Sequence, residues 1–203
     1  MLCDIKRAFS ENKIAIMSAA AIFFISIILG YLLESFLHAY LNPVVDDLSQ
    51  KVHTGVIRIT FQSIFMNNIR IVLLMFIYGL ILCFSAGILA FNGFFVGYYL
   101  AISDDLFKSL LLVMPHGIFE FSSCILACAS GFVLFHFIYK FLKAIHRQDN
   151  GPVRVMLSKA FAESSLKLKQ AIIILAIASV LMAVAGFVET YLTVPIAKFI
   201  YYL

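Results

Sequence analysis

Residues 114–120 read Met114-Pro115-His116-Gly117-Ile118-Phe119-Glu120, and an apolar run continues from them to Leu142. A run of this length can cross the hydrocarbon core of a membrane, which is about 30 Å thick. An ionisable side chain in hydrocarbon costs about 3 kcal/mol on insertion scales, so such residues usually face a bundle interior, a partner or water. His116 and Glu120 are four residues apart, which places them on one face of a helix. This pair is the first candidate for a functional site.

The composition indicates a protein that crosses a membrane several times. Of the 203 residues, 63% are hydrophobic and 13% are charged, and the mean hydropathy is +1.02. Ordinary soluble domains are less apolar and about twice as rich in charge. The formal net charge is +4, but the basic residues fall at the ends of apolar runs and form no basic stripe with a recognition motif, so we expect no nucleic acid partner. Membrane lipids account for them better.

The apolar runs predict an all-α fold, a polytopic transmembrane helix bundle that forms a single integral membrane domain over residues 1–203. The five predicted spans cover residues 14–37, 69–91, 93–103, 115–142 and 171–194. The third is short because Asn92-Gly93, a pair suited to a turn, interrupts the apolar pattern. Residues 106–114 are too few to cross. They are predicted to re-enter the membrane and stop at Pro115, since the residue before a proline disfavours the helical region.

Two polar stretches are predicted to lie outside the hydrocarbon. Residues 38–68 contain Asn42-Pro43 as a breaker, followed by apolar residues at helical spacing, and they predict a helix that lies on the outer membrane surface. Those apolar residues are Val52, Val56, Ile59 and Ile64. A clear turn is predicted at Asp149-Asn150-Gly151-Pro152.

The distribution of lysine and arginine predicts the orientation. The first 13 residues carry three of them and residues 140–169 carry seven, whereas residues 38–70, residues 103–115 and the tail carry three, one and one. By the positive-inside rule, the N-terminus and the 140–169 loop are predicted to be cytoplasmic, in a multi-pass protein of the cell (plasma) membrane.

Under this topology two carboxylates lie at the same level. Glu120 lies five residues after Pro115 on a helix that runs inward, and Glu189 lies six residues before Pro195 on a helix that runs outward. A glycine precedes each acid by three residues, at Gly117 and at Gly186, and glycine permits close helix approach. We therefore expect one polar site that contains both acids.

With His116 at its mouth, such a site has a defined chemistry. Two facing carboxylates share a proton or bind a cation, so His116, Glu120 and Glu189 are candidate metal ligands, and a bound cation is the one cofactor that the sequence suggests. The alternative is that each glutamate hydrogen-bonds to a neighbouring helix or extends toward water, and that His116 caps or packs. Cys124 and Cys128 continue the four-residue series, but ligands spread along a helix in this way cannot meet one ion.

Other polar residues are predicted to support the site or the fold. Asn68 belongs to a polar cluster with Asn67 and Arg70, for which helix capping and anchoring at the interface are the simpler interpretation. At the predicted helix break, Asn92 can satisfy freed backbone groups, as residues of broken helices do in transporters.

Several of these residues together carry a family resemblance. They are Pro115-His116-Gly117-Ile118-Phe119-Glu120, preceded by Asn68 and Asn92-Gly93 and followed by Ala185-Gly186-Phe187-Val188-Glu189-Thr190 and Pro195. From about residue 5 to residue 196 the chain resembles the stage II sporulation protein M family of membrane proteins. The founding members of that family act in engulfment during bacterial sporulation, in a membrane complex with cell-wall hydrolases. The wider family has no settled biochemical activity, so the resemblance implies a membrane protein rather than a reaction.

Three classes of function remain open. We favour a membrane scaffold or assembly component that recruits partners through its surface helices. The rival is a cation- or proton-coupled transporter that uses Glu120, Glu189 and His116 directly. An intramembrane hydrolase with a novel site is the third. The sequence contains no Gly-x-Ser-x-Gly elbow, no His-Glu-x-x-His motif, no phosphate loop and no paired Ser/Lys signal, so we do not expect an enzyme.

The expected partners are membrane lipids, other membrane or envelope proteins and a second copy of the chain. Small residues select close helix packing in lipid, and a homodimer is the commonest closed assembly. The small residues that suggest self-association are residues 19–21, Ala176, Ala178, Ala183 and Ala185.

Overall fold

The computed structural model describes residues 2–54, 60–147 and 152–201, and none of these residues belongs to a strand. Their elements are α1 (Leu2–Glu11), α2 (Lys13–Leu32), α3 (Glu34–His53), α4 (Phe61–Ile77), a 3-10 helix (Tyr78–Leu80), α5 (Leu82–Ala101), α6 (Leu106–His146), α7 (Val153–Tyr191) and α8 (Thr193–Tyr201). Within the described residues, five helices are long and apolar enough to cross a membrane: α2, α4 with its 3-10 extension, α5, α6 and α7. The prediction of an all-α bundle is confirmed.

The predicted stop at Pro115 is wrong, because α6 runs without a break from Leu106 to His146 with Pro115 inside it. Asp105 caps the start of this helix, since its side chain accepts a hydrogen bond of 2.9 Å from the backbone N–H of Lys108. A proline removes one backbone hydrogen bond from a helix. Membrane helices tolerate this loss, since neighbouring helices compensate and an open loop in lipid would leave more backbone groups unpaired. Residues 106–114 are therefore the first turns of α6 and not a re-entrant element.

The predicted break at Asn92-Gly93 is also wrong, since both residues lie in the middle of α5. The Asn92 side chain donates a 2.8 Å hydrogen bond to the carbonyl of Ile88 in the same helix. Gly93 faces α2, where an added Cβ would lie 2.8 Å from the carbonyl oxygen of Phe23. Gly97 meets the same helix one turn later. Gly93 and Gly97 thus form a small-xxx-small contact, which lets two membrane helices approach closely.

The chain turns instead at the 3-10 helix Tyr78–Leu80, which ends at Ile81 in an extended conformation (φ −125°, ψ 94°). Gly79 lies directly against the backbone of Gly131 in α6, and a Cβ added to Gly131 would lie 2.8 Å from the carbonyl oxygen of Met75. The turn therefore depends on two facing glycines. The predicted spans 69–91 and 93–103 are replaced by α4 and α5, of which α5 is a full 20 residues long.

The segment after the first span is helical earlier than predicted. Helix α2 ends at Leu32, and α3 begins two residues later at Glu34 and continues through Pro43, so Asn42-Pro43 does not act as a breaker. Asn42 donates a 3.0 Å hydrogen bond to Asp46 one turn ahead. Of the four apolar positions predicted to share a surface helix, Val52 falls in α3 and Ile64 in α4. Val56 and Ile59 lie outside the described residues, as does most of the predicted turn at residues 149–152.

Helices α6 and α7 form an antiparallel pair of 41 and 39 residues. At 1.5 Å per residue each is roughly 60 Å long, twice the thickness of a hydrocarbon core. Helix α7 begins at Val153, so most of the predicted 140–169 loop is helical, and its residues 153–169 belong to the same helix as the last span. Helix α1 packs on this first half of α7. We call this end of the molecule, with α1, residues 135–147 and residues 152–170, the basic end.

The opposite end contains α3, the connection between α5 and α6, and α8, which packs on α6. The segment of α8 was predicted only as a short tail after a last span that ends before Pro195, but Pro195 lies in the first turn of this helix. This position tolerates proline, since the first helical N–H groups have no partner within the helix. We call this the carboxylate end, because Glu120 and Glu189 lie toward it.

Small side chains fill the contact between α6 and α7. Residues 123–131 of α6 are buried without exception, and the Ser123 hydroxyl donates a 2.6 Å hydrogen bond to the carbonyl of Ala178. On the predicted self-association faces, Ala19, Ala178 and Ala185 are buried inside the bundle, whereas Ala176 is exposed. The bundle itself thus uses much of those faces, and the homodimer stays a prediction.

The contact between α5 and α2 gives a direct test of the fold. We expect Gly93→Ala to lower the stability by about 1–3 kcal/mol, because the new methyl group has no space beside Phe23 and Ser26 and overpacking forces the helices apart. Gly87→Ala is the matched control in the same helix, where an added Cβ meets no atom within 4 Å and alanine raises helix propensity. Thermal unfolding in detergent measures both, and equal melting temperatures would contradict the packing.

Candidate functional site

His116, Glu120 and Glu189 lie together at the carboxylate end. Each offers one ligand atom, and these atoms all lie within 4.8 Å of one another. His116 Nε2 and Glu120 Oε2 are 4.0 Å apart, as expected for residues one turn apart on α6. Glu189 joins them from α7 because the two helices are antiparallel and close. The group is partly buried, with 15% of the His116 side chain and 26% of the Glu120 side chain exposed.

Two further side chains hold this group from neighbouring helices. Asn68 of α4 donates a 3.3 Å hydrogen bond from its amide nitrogen to Glu120 Oε1. Thr193, the first residue of α8, places its hydroxyl oxygen 3.2 Å from His116 Nδ1 and also donates to the carbonyl of Val188 at 3.2 Å. Four helices, α4, α6, α7 and α8, therefore meet at the carboxylate cluster, which we define as His116, Glu120 and Glu189 with Asn68 and Thr193.

The glycines that suggested this meeting have other roles. The nearest atoms to a Cβ at Gly117 belong to Phe121 and Val113 of its own helix, and those near Gly186 belong to Phe61 and Phe65 of α4. The nearest neighbours of Gly117 are therefore not on α7, and those of Gly186 are not on α6. The close approach of α6 and α7 comes instead from the small buried residues of the stretch 123–131 in α6.

Among the other candidates, only Asn68 reaches the cluster. Asn92 and Gly93 lie on α5 at its contact with α2. Pro115 precedes His116 within α6. Cys124 and Cys128 are buried deeper in the same helix, and the Cys128 sulfur accepts a 3.4 Å hydrogen bond from Ser85.

Thr193 was not predicted. Nothing in the sequence around Thr193 and Pro195 indicates that the threonine hydroxyl contacts His116, which lies 77 residues earlier. Threonine is a common capping residue at the start of a helix, and this is the one signal that the sequence offered.

A second polar cluster lies at the basic end and joins α1 to α7. Asn12 is 8% exposed and donates to Gln170, which is 2% exposed, at 2.9 Å. Lys167 donates to both of their side-chain oxygens at 2.9 Å. Gln170 in turn donates to Glu11 at 2.6 Å. The hydrogen bond from Arg7, with that from Gln170, lowers the pKa of Glu11 to about 2, so this carboxylate stays charged at neutral pH.

With the geometry in place, the class of the protein is clear: it is a polytopic membrane protein built from apolar α-helices. The family model described as stage II sporulation protein M matches residues 19–194. The chain belongs to the stage II sporulation protein M family.

Two relatives of nearly the same length come from Methanocaldococcus jannaschii, and both are described as uncharacterized proteins. One is 28% identical over 194 residues, which cover 93% of this chain and 98% of the relative. The other is 28% identical over 214 residues, which cover 98% of this chain and 91% of the relative. No solved structure matches the chain.

The cluster at the basic end gives a stability prediction. We expect Gln170→Leu to lower the stability by about 1–3 kcal/mol, because it leaves the buried Asn12 amide and the Lys167 ammonium with fewer partners. Helix α1 should then detach, so limited trypsin digestion should cut faster at Lys6, Arg7 and Lys13. Gln62→Leu, at an exposed glutamine of α4, is the matched control and should digest like the native chain. Equal digestion of both variants would show that the network does not hold α1.

Proposed function

We propose that this protein is a membrane scaffold or assembly component in which the carboxylate cluster fixes the arrangement of four helices. The contacts of Asn68 and Thr193 support this role, since they connect α4 and α8 to the acids and the histidine of α6 and α7. A polar group between membrane helices joins them because lipid offers it no alternative partner.

The observation that carries the proposal is the buried stretch at residues 123–131. It lies between the carboxylate cluster and the basic end, and it consists mainly of small side chains in close contact. Transporters place their sites beside broken helices and cavities that open in turn to either side. Here α6 and α7 are continuous from the cluster through the buried stretch to the basic end. The packing therefore favours a cluster that holds the helices together over one that passes ions or protons through the membrane.

A cation- or proton-coupled transporter is the alternative function. The observation that favours it is the cluster itself, since three ligand atoms within 4.8 Å can hold a transported ion.

Helix α3 is the surface that we propose for partners of the scaffold. Phe36, Tyr40 and Val44 are four residues apart and are 73%, 71% and 42% exposed, whereas the other face of α3 contacts α5, with His38 Nδ1 3.1 Å from the hydroxyl of Tyr98. An exposed apolar stripe on a helix that is not among the five membrane-crossing helices fits another membrane or envelope protein, or a second copy of this chain.

For the orientation, we propose that the basic end faces the cytoplasm of a cell whose plasma membrane holds the protein. The three basic residues of the N-terminus and the seven of residues 140–169 support it, because α1 packs on the first half of α7 and both groups thus share one end.

Single cysteines in a chain without its four native cysteines test this orientation. We expect a membrane-impermeant thiol reagent added to intact cells to label Asp104→Cys, between α5 and α6, but to label Ser158→Cys in α7 only after permeabilisation. Both positions are exposed. Labelling of both from the same side would contradict the bundle topology, and the reverse pattern would contradict the orientation.

The assembly role predicts a species larger than the 22.8 kDa monomer when the chain is extracted in native lipid particles and weighed. Phe36→Glu with Tyr40→Glu should shift it toward the monomer, because the apolar stripe is lost. Val153→Glu with Leu157→Glu, two exposed apolar residues at the same spacing on α7, is the matched control and should not.

Flux measurements in liposomes separate the transporter. A proton or cation flux that requires Glu120 and Glu189, together with a monomeric mass, would overturn the scaffold and support the alternative.

A further inference from the structure

We propose that His116, Glu120 and Glu189 bind one divalent transition-metal ion of the Zn²⁺ class. The inference uses the carboxylate cluster of the proposed function, but it does not depend on whether the protein is a scaffold. It rests on which atoms of these side chains face one another.

The hydroxyl of Thr193 determines which nitrogen of His116 carries the proton. A threonine hydroxyl has one hydrogen, and Thr193 directs it at the carbonyl of Val188. Its oxygen is then left to accept a hydrogen bond from His116 Nδ1, 3.2 Å away. A neutral imidazole with its proton on Nδ1 has a lone pair on Nε2. This lone pair is on the nitrogen that faces Glu120 Oε2, 4.0 Å away.

Three acceptors therefore face one another: an imidazole nitrogen and two carboxylates. Asn68 occupies the other oxygen of Glu120, Oε1, which leaves Oε2 for the centre of the cluster. Among the lysine and arginine side chains that the structure describes, none forms an ion pair with Glu120 or Glu189 within 4.0 Å. Converging acceptors repel one another unless a proton or a cation lies between them.

The spacing suits a small cation. In tetrahedral coordination, with bonds of about 2.1 Å to nitrogen and oxygen, two ligand atoms lie about 3.4 Å apart. The ligand atoms here lie within 4.8 Å of one another, so each pair must close by at most about 1.4 Å to reach that geometry. Rotation of two glutamate side chains can supply such a movement without a shift of the helices.

The ligand types select the metal. Imidazole suits zinc and its neighbours in the first transition row, whereas Ca²⁺ and Mg²⁺ take oxygen ligands. A histidine that binds a metal through one nitrogen almost always donates the other N–H to an oxygen, which orients the ring. The Thr193 hydroxyl oxygen is placed to accept the N–H of His116 Nδ1. Asn68 orients Glu120 through its hydrogen bond to Oε1. Three protein ligands leave a fourth position for water.

Metal analysis of the intact protein in detergent tests the inference. After growth and purification with Zn²⁺ present, we expect about one zinc ion per chain in the native protein, and a loss of that zinc in His116→Ala and in Glu189→Gln. The matched control is Glu34→Gln with His38→Ala, another glutamate and histidine four residues apart at the same end, with Oε1 and Nδ1 3.6 Å apart. Among the described residues that pair belongs to no group of three ligands, so its variant should keep the zinc.

A milder variant covers the case in which loss of a ligand prevents folding. Thr193→Val keeps all three ligands but removes the hydroxyl that orients His116, and we expect it to bind Zn²⁺ about 10–100-fold more weakly in competition with a chelator. Co²⁺ in the native protein should show the visible spectrum of a tetrahedral nitrogen and oxygen site.

Two results would overturn the proposal: native protein with no more zinc than His116→Ala, or zinc binding that Thr193→Val and Glu189→Gln leave unchanged. The first would favour a proton shared between the acids. Either would leave the mass and flux tests of the scaffold unaffected.

Discussion

The close contact between α6 and α7 is the constraint on which the rest of the structure depends. Lipid is as apolar as a leucine side chain, so membrane helices gain little from the hydrophobic effect when they associate, and they rely on van der Waals packing and polar contacts. Residues 123–131 meet this requirement with small side chains, and the Ser123 hydroxyl bonds to the backbone of α7. The same device recurs where Gly93 and Gly97 meet α2 and where Gly79 meets Gly131. These three contacts are thus held at backbone distance.

Much of the fold could be predicted because the membrane imposes strong rules on the sequence. Apolar length predicted five crossings, although the third was predicted to be short and is a full helix. The lysine and arginine count predicted that the N-terminus and residues 140–169 share one end, and α1 packs on α7 there. The failures concern local turn signals. Asn42-Pro43, Asn92-Gly93 and Pro115 favour turns in water, yet all three lie inside helices. For Asn92-Gly93, in the middle of the long apolar helix α5, a turn in lipid would leave backbone groups without partners. The true turn at residues 78–80 depends on a partner glycine in α6, which no local pattern reveals.

The candidate site was predictable to the extent that it follows from helix periodicity and helix direction. The spacing of His116 and Glu120 and the antiparallel course of the next long helix were enough to suggest that Glu189 lies near them. The predicted reason, a glycine three residues before each acid, was wrong in detail, since Gly117 and Gly186 face Phe121 and Phe61. Thr193 could not be predicted, because its contact depends on where α8 begins after α7 ends.

The two polar clusters also indicate how the bundle sits in a bilayer. On α7, Gln170 and Glu189 are 19 residues apart, which is about 28 Å along a helix and close to the thickness of a hydrocarbon core. On α6, Glu120 and Lys140 are 20 residues apart, or about 30 Å. A membrane centred on the buried stretch 123–131 and its partner residues in α7 would therefore place both clusters near its two surfaces. Each polar group would then lie where water can reach its outer side. The segment between them, whose hydroxyl and thiol groups bond within the bundle, would fill the hydrocarbon. A metal ion could in that case reach the carboxylate cluster from the aqueous side without crossing any apolar barrier.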